Sequence, residues 1–365
     1  MAPDRDDFSI RAHHNLMKIS STTFHSKTNF STTKKFRTSN IRTQQTLGFL
    51  FLTALLTAAP TQIAAAAETT FDRTLTVKGP VRIELNSASG SAEIRGSSDG
   101  QVHIHGKATS GWSVLGSSAK DAEDAAANPP IEQVGDTIRI GKNWSAFHNV
   151  SIDYKIEVPH DTELDANFAS GGLTVDNIRG PVKAGSASGY LHVYRVDRDV
   201  QLSAASGTLD VSSIGGMFRA TSASGSVRLA EVKNDIKVSA QSGSIEIRNP
   251  GERVDASTVS GSVRISNAKN DVKSHVISGG ITITGNPAGS RLWDLKTVSG
   301  GIDIRVPSQA SFLLSAESVS GGIKTNIPVV IEEQSRHSLR AHVGDSSGRV
   351  EVRTVSGSIN VESGS

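Results

Sequence analysis

The chain has 365 residues, of which 34 are glycine, 5% are aromatic and none is cysteine. This composition excludes disulfides, thiolate metal sites and thiol nucleophiles, and it favours a repetitive β structure over several compact cores. Residues 1–67 hold eight of the 38 basic and three of the 36 acidic residues, so 30 basic and 33 acidic residues remain after them. A basic nucleic-acid-binding face is therefore not indicated, and we expect no nucleic-acid partner.

The N-terminal part of the sequence has the pattern of a targeting segment. Residues 1–46 are rich in Ser, Thr and Asn and have no hydrophobic period, which predicts an unstructured leader or an upstream mis-start. Residues 47–67 predict a signal peptide, because an apolar stretch is followed by small residues at Ala65 and Ala67. The 13 apolar residues at 47–59 make about 20 Å of helix, which is short for a membrane core of about 30 Å. We expect export and no stable membrane span after cleavage; an uncleaved anchor and a transit peptide are the alternatives.

Residues 68–168 are predicted to form N-terminal strands with an insertion that caps the core. The segment at 118–127, SAKDAEDAAA, predicts a short helix, because it begins with a serine cap and is followed by Pro129 and a second proline. Trp112 and Trp144 are expected to cover the open end of the core, as the terminal units of repeat proteins do.

Residues 169–365 contain an internal repeat that is marked by a Ser-Gly pair. Its glycines recur every 18 residues from Gly171 to Gly279 and then after 21, 21 and 36 residues, and an earlier copy lies at Gly90. After Gly189, Gly207 and Gly225, apolar residues lie at +2, +4, +7, +11 and +13 and alternate with polar ones, which predicts two short strands per repeat. Because so short a segment cannot bury a core alone, the repeats must stack. The expected fold is all-β: a single-stranded parallel β-solenoid, similar to a β-helix, with 18-residue coils and an N-terminal insertion carrying a short helix.

The Ser-Gly pairs are expected to form the corners of the coils. At a corner, glycine takes a positive φ at low cost and the preceding serine bonds a neighbouring backbone group. A nucleophilic serine would need a His or Lys base beside it, which no repeat supplies, so we interpret the pairs as structural and predict no catalytic residue. The expected corner residues are Ser170, Gly171, Ser188, Gly189, Ser206, Gly207, Ser224, Gly225, Ser242, Gly243, Ser260, Gly261, Ser278, Gly279, Ser299, Gly300, Ser320, Gly321, Ser356 and Gly357.

Other candidate chemistry is sparse in the sequence. His103 and His105 alternate on one predicted strand and could hold a metal, but two ligands make a weak site, and we expect the pair to face solvent. We predict no metal and no cofactor. The loops at 286–294 and 306–314 contain one carboxylate, Asp294, which would be the candidate acid or base if the chain were an enzyme.

Two segments resemble a known family. Residues 150–164, VSIDYKIEVPHDTEL, together with Ser-Gly repeats such as TVSGSVRI, are similar to the putative-adhesin family of bacterial β-strand-repeat proteins, domain of unknown function 4097. Residues 338–359 are similar to the closing pattern of that family. The resemblance covers the chain from about Phe71 onward and implies a parallel β-solenoid in an envelope or secreted protein. It implies no catalytic residues.

The sequence therefore favours an exported, non-enzymatic, adhesin-like binding or scaffold protein of the bacterial periplasm or cell surface. Its expected partner is an unidentified envelope or cell-surface protein or a glycan. The alternative is a carbohydrate-active β-helix lyase or hydrolase with its site in the loops at 286–314.

The C-terminal end raises a separate expectation about assembly. The last predicted strand, residues 358–361, would leave an unpaired edge, which is a template for further pairing. Residues 322–349, with Pro328 and the charged pair Glu332 and Glu333, are expected to fold back over this edge and keep the protein monomeric.

Overall fold

The computed structural model describes residues 68–111, 118–141 and 150–364. Within them the chain is all-β, as predicted, and its strands form one large mixed sheet that is not closed. The predicted signal peptide, Trp112 and Trp144 lie outside the described residues. No helix in the described part of the chain is long and apolar enough to cross a membrane.

The N-terminal elements include the predicted helix at its predicted position. They are β1 (Glu68–Thr76), β2 (Arg82–Ser87), β3 (Ala92–Ser97), β4 (Gln101–Ser110), α1 (Ser118–Ala127), β5 (Ile131–Val134), β6 (Thr137–Ile140) and β7 (Val150–Pro159). The pairs β1–β4, β4–β7 and β5–β6 are antiparallel. The pairs β2–β6 and β3–β7 are parallel.

The repeats begin with four long strands that run through their corners. These are β8 (Glu163–Ile178), β9 (Val182–Val196), β10 (Val200–Ile214) and β11 (Phe218–Val232). Two strands per repeat were predicted here. The difference arises because the parallel ladder continues through the Ser-Gly pair, with Ser206 opposite Ser224 and Gly207 opposite Gly225.

The later repeats are divided at the corner into two strands, as the sequence predicts. They contain β12 (Ile236–Ser242), β13 (Ile245–Arg248), β14 (Val254–Ser260), β15 (Val263–Ala268), β16 (Val272–Ser278), β17 (Ile281–Gly285), β18 (Trp293–Ser299) and β19 (Ile302–Val306). The remaining strands are β20 (Phe312–Ser320), β21 (Ile323–Thr325), β22 (Val330–Gln334), β23 (Ser338–Val343), β24 (Gly348–Ser356) and β25 (Ile359–Ser363).

Equivalent residues of successive repeats lie opposite one another in parallel ladders. Leu191, Leu209 and Val227, for example, form one inward column, and each is almost fully buried. The column exists because an 18-residue offset brings the same position of every repeat to the same place. Apolar burial along such columns supplies the main stabilisation, at about 25 cal/mol per Å² of apolar surface.

The corner glycines form a column in which a side chain has no room. Gly207 has φ of 128°, and a Cβ built there would lie 1.7 Å from the carbonyl oxygen of Gly189. The same collision with the preceding corner recurs along the stack. In spatial order the column is Gly90, Gly171, Gly189, Gly207, Gly225, Gly243, Gly261, Gly279, Gly300, Gly357 and Gly321.

A second left-handed column lies six residues after the corner glycine. It has positive φ at residues other than glycine, where a side chain costs about 1–2 kcal/mol. Its members are Asn177, Arg195, Ser213, Glu231, Asn249 and Asn267, with φ between 49° and 62°. The sequence interpretation missed this second corner.

The C-terminal strands do not follow chain order in the stack. β24 pairs in parallel with β18 on one side and with β20 on the other, and β25 pairs with β19 and β21. The expectation that the last strand is the open edge is therefore wrong. The 36 residues between Gly321 and Gly357 include the antiparallel hairpin β22–β23, which pairs with the outer edge of β20. The chain then returns as β24, which lies between β18 and β20.

Candidate functional site

Five stacked repeats expose a branched aliphatic side chain at the position two residues before the corner glycine. We call these residues the aliphatic row. The ladders place them in the spatial order Val259, Ile277, Val298, Val355 and Val319. Their exposed fractions lie between 47% and 70%, so the row faces solvent rather than the core.

The other repeats have different residues at this position. The N-terminal ones have alanine at Ala88, Ala169, Ala187, Ala205 and Ala223, and the repeat that borders the row has Gln241. The change from alanine to valine or isoleucine is readable in the sequence by comparing one position across the repeats. The sequence interpretation, which concentrated on the Ser-Gly pair, missed it.

The aliphatic row forms one wall of a groove of about 970 Å³, which we call the aliphatic groove. The opposite wall, the polar row, consists of the residues four positions before each corner glycine. In spatial order these are Ser239, Ser257, His275, Lys296, Arg353 and Glu317. Buried residues between the two rows, such as Thr297, form the floor. His337 closes the end beside Val319, where its carbonyl accepts a hydrogen bond from the amide of Ser318 at 2.8 Å.

Charges on the polar row are paired with neighbouring side chains. The Nε atom of Arg353 lies 3.2 Å from Oε2 of Glu317, and Nζ of Lys296 lies 2.8 Å from Oδ2 of Asp294. His275 approaches the same Asp294 oxygen at 3.6 Å. Since Arg353 and Glu317 are each 54% exposed, their ion pair contributes at most about 1 kcal/mol and is easily exchanged for another partner.

Asp294 does not lie in a site formed by the loops at 286–314. It is on β18, and its side chain is 14% exposed. The groove beside those loops, about 900 Å³, is lined by the cations Lys269 and Arg305, and no carboxylate is among its described lining residues. This groove thus does not present, among its described lining residues, the pair of carboxylates that glycoside hydrolysis generally uses.

The corner serines form an exposed row next to the aliphatic row. Ser170 donates from Oγ to the carbonyl of Ala88 at 3.1 Å, and Ser188 donates to the carbonyl of Ala169 at 3.4 Å. The structure thus places the predicted serines and glycines at one edge of the repeat, and those from Ser260 onward flank the groove without forming its walls.

His103 and His105 each have a carboxylate of their own. Nε2 of His103 lies 2.8 Å from Asp99, and Nδ1 of His105 lies 2.8 Å from Asp72. These carboxylates were not recognised as partners in the sequence. In the described ranges, no group of three or more His, Asp or Glu side chains is placed to hold a metal ion.

The stacked parallel ladders define an all-β repeat protein that carries an exposed apolar groove. The sequence profile of the Toastrack DUF4097 family matches residues 68–362, and the chain belongs to this family, as the resemblance of its repeats implied. No curated relative matches the chain.

Three solved structures are similar to the chain at low identity. A putative cell adhesion protein from Clostridium sporogenes is 13% identical, with 81% of this chain and 100% of that chain covered and a TM-score of 0.18. A putative adhesin from Parabacteroides distasonis is 12% identical, with coverage of 81% and 97% and a TM-score of 0.30. A putative lipid binding protein from the same species is 10% identical, with coverage of 82% and 97% and a TM-score of 0.31. TM-scores this low transfer neither a ligand nor an activity.

Proposed function

We propose that this chain is an exported, non-enzymatic binding protein, adhesin-like in presenting a fixed outward surface to a partner, and that the aliphatic groove is its binding site. The observation that carries the proposal is the aliphatic row. Scattered exposed aliphatic residues are ordinary on a protein surface, but a contiguous apolar patch marks an interaction site. The row is contiguous over five repeats.

The fold does not require the aliphatic row. Alanine occupies the same position in the N-terminal repeats, for example at Ala187 and Ala205, where the same parallel ladders form. Valine and isoleucine at 259, 277, 298, 355 and 319 therefore serve the surface rather than the stacking. The paired charges of the polar row suit a rim that orients a ligand.

The architecture proposed for this function is a parallel β-solenoid over residues 169–365, preceded by a capping region at 68–168, a signal peptide at 47–67 and a leader at 1–46. The parallel ladders from β8 to β19, with offsets of 18 and then 21 residues, support the solenoid. The apolar stretch and small residues before position 68 support export to the periplasm or cell surface. Mass spectrometry of the mature N-terminus with cell fractionation tests export; an intact residue 1 in the cytoplasm would contradict it.

Binding to the groove is tested with an environment-sensitive apolar dye, anilinonaphthalene sulfonate. In the full chain, replacing Val259, Val298 and Val355 by alanine reproduces the N-terminal repeats, so circular dichroism should be unchanged while most of the dye fluorescence is lost. The matched control is Val134→Ala, because Val134 is 56% exposed and lies outside the groove. A triple variant that binds the dye as the wild type does would refute the proposed site.

A further inference from the structure

We propose that the aliphatic groove takes one long-chain fatty acid, which lies along the stack with its carboxylate at the Val319 end. The inference rests on the proposed function, that the groove is a binding site, and it names the class of ligand. Four properties of the groove carry it: its length, its width, its aliphatic lining and the distribution of charge on its rim.

The length of the aliphatic row matches one extended acyl chain. Five stacked positions at about 4.8 Å per strand span about 19 Å from Val259 to Val319. A zigzag of carbon atoms with bonds of about 1.5 Å and angles near 111° advances about 1.25 Å per carbon. The row therefore accommodates about 15 carbons.

The groove is narrow, which favours one hydrocarbon chain lying along it over larger apolar partners. The two rows lie two residues apart on each strand, a backbone spacing of about 6.7 Å that the side chains of both rows reduce further. An α-helix with its side chains is about 10–12 Å across, and a second sheet packs about 10 Å away, so neither fits between the rows. Two acyl chains of one diacyl lipid do not fit side by side either.

The rim charge gives the ligand a direction. At one end of the groove, Arg353, its ion-pair partner Glu317 and the imidazole of His337 lie near Val319, whereas the other end is bordered by the uncharged Ser239 and Ser257. Because the ion pair of Arg353 with Glu317 is exposed, an incoming carboxylate can replace Glu317 on Arg353. The carboxylate therefore lies at the Val319 end and the methyl end of the tail points toward Ser239.

The same charges disfavour a second copy of the chain as the occupant. Val298 is the middle position of the aliphatic row, so a two-fold contact between two grooves would place Lys296 opposite Lys296 of the other copy. It would also place His275 opposite Arg353. The two lysines repel each other in such a contact, and neither pairing gives an ion pair between the copies.

The test is a chain-length series. The full chain is titrated by isothermal calorimetry with saturated fatty acids of 8 to 20 carbons, below their micelle concentrations. Affinity should rise by up to about fourfold for each added methylene and level off near 15 carbons, where the row ends. An affinity that rises without levelling off, or no binding at any length, would overturn the proposal.

Two substitutions change the length of the row by one position. Gln241→Val extends the aliphatic row by one position beyond Val259. Val259→Gln shortens the row by one position, because it introduces the glutamine that occupies the equivalent position 241. Each position is worth about 4.8 Å, or about four carbons, so the levelling-off point should move about four carbons up in the first variant and about four down in the second. Unchanged thermal unfolding shows that both variants are folded, and a levelling-off point that does not move would refute a ligand lying along the row.

The carboxylate end is tested separately with Arg353→Gln. This variant should lose about tenfold in affinity for a fatty acid and leave the affinity for the alcohol of the same length unchanged, which a purely structural role of Arg353 would not produce. Vesicles of dioleoylphosphatidylglycerol should not compete; competition that depends on the aliphatic row would overturn the free fatty acid in favour of a membrane lipid. If the length series fails while the triple alanine variant still loses dye fluorescence, only the fatty-acid inference is refuted. If the triple variant binds the dye as the wild type does, the proposed function is refuted as well.

Discussion

The repeats with corners from Gly171 to Gly225 and those with corners from Gly261 to Gly357 share one backbone. Both have the glycine column, the buried inward columns and parallel ladders. They differ two residues before the glycine, where the first group has alanine and the second has valine or isoleucine. The stacking restricts the inward and corner positions but leaves this outward position free to vary without a change of backbone.

The largest expected effect concerns the shared glycine column. Gly207→Ala and Gly321→Ala should each cost about 3–5 kcal/mol in the free energy of unfolding, because the new Cβ would lie within 2 Å of a carbonyl oxygen in a left-handed backbone. Urea denaturation of both variants measures it. Gly322→Ala is the adjacent control, since no atom lies within 4 Å of its Cβ position. Equal losses at Gly321 and Gly322 would show that the column is not what fixes the corner.

The second prediction separates inward from outward valines within one repeat. Val263 is fully buried, so Val263→Ala should cost about 2 kcal/mol, whereas the exposed Val259→Ala should change stability by less than about 0.5 kcal/mol. Chemical denaturation gives both values. A large loss for Val259→Ala would mean that the aliphatic row stabilises the fold, and the contrast between the two groups of repeats would then have a structural cause.

The third prediction uses the second left-handed column. Glu231 has φ of 57°, and asparagine occupies the equivalent position at 177, 249 and 267. Glu231→Asn should raise the free energy of unfolding by about 1 kcal/mol, since asparagine tolerates this conformation better. The substitution also removes the 3.0 Å hydrogen bond from Ser213, so Ser213→Ala serves as the control for that loss. A lower unfolding midpoint for Glu231→Asn would contradict the expectation.

The smallest effect is expected at Glu84 on β2, in the N-terminal part of the described chain. Hydrogen bonds from Arg139 and then Arg82 hold the pKa of Glu84 below its ordinary value of 4.5. A lowered folded-state pKa adds stability that is fully present above about pH 4.5 and is lost as the pH falls through the folded value. Glu84→Gln should cost less than about 1 kcal/mol at neutral pH and flatten the decline of stability below pH 4.5. If the unfolding temperature of Glu84→Gln falls below pH 4.5 as steeply as that of the wild type, the prediction is wrong.

The sequence predicted the repeat, its inward columns and its Ser-Gly edge because each recurs at a fixed interval. It could not predict the position of β24, because a strand of this repeat can pair with any other in the same register. Val350, for instance, lies opposite both Trp293 and Leu314. The left-handed column was missed because Arg195 and Glu231 are unusual residues for positive φ. The aliphatic row could have been predicted from the sequence, since only the residue two positions before the corner glycine changes from alanine to valine or isoleucine.

The insertion of β24 has a consequence for the order in which the molecule forms. Val355 stands between Val298 and Val319 and is 57 and 36 positions from them in the chain, whereas the other neighbours in the row are 18 or 21 positions apart. Contacts between distant residues close large loops and form late in folding. We therefore expect the aliphatic groove to be the last part of the surface to be completed, together with the corner at Gly357 and the buried positions that β24 fills.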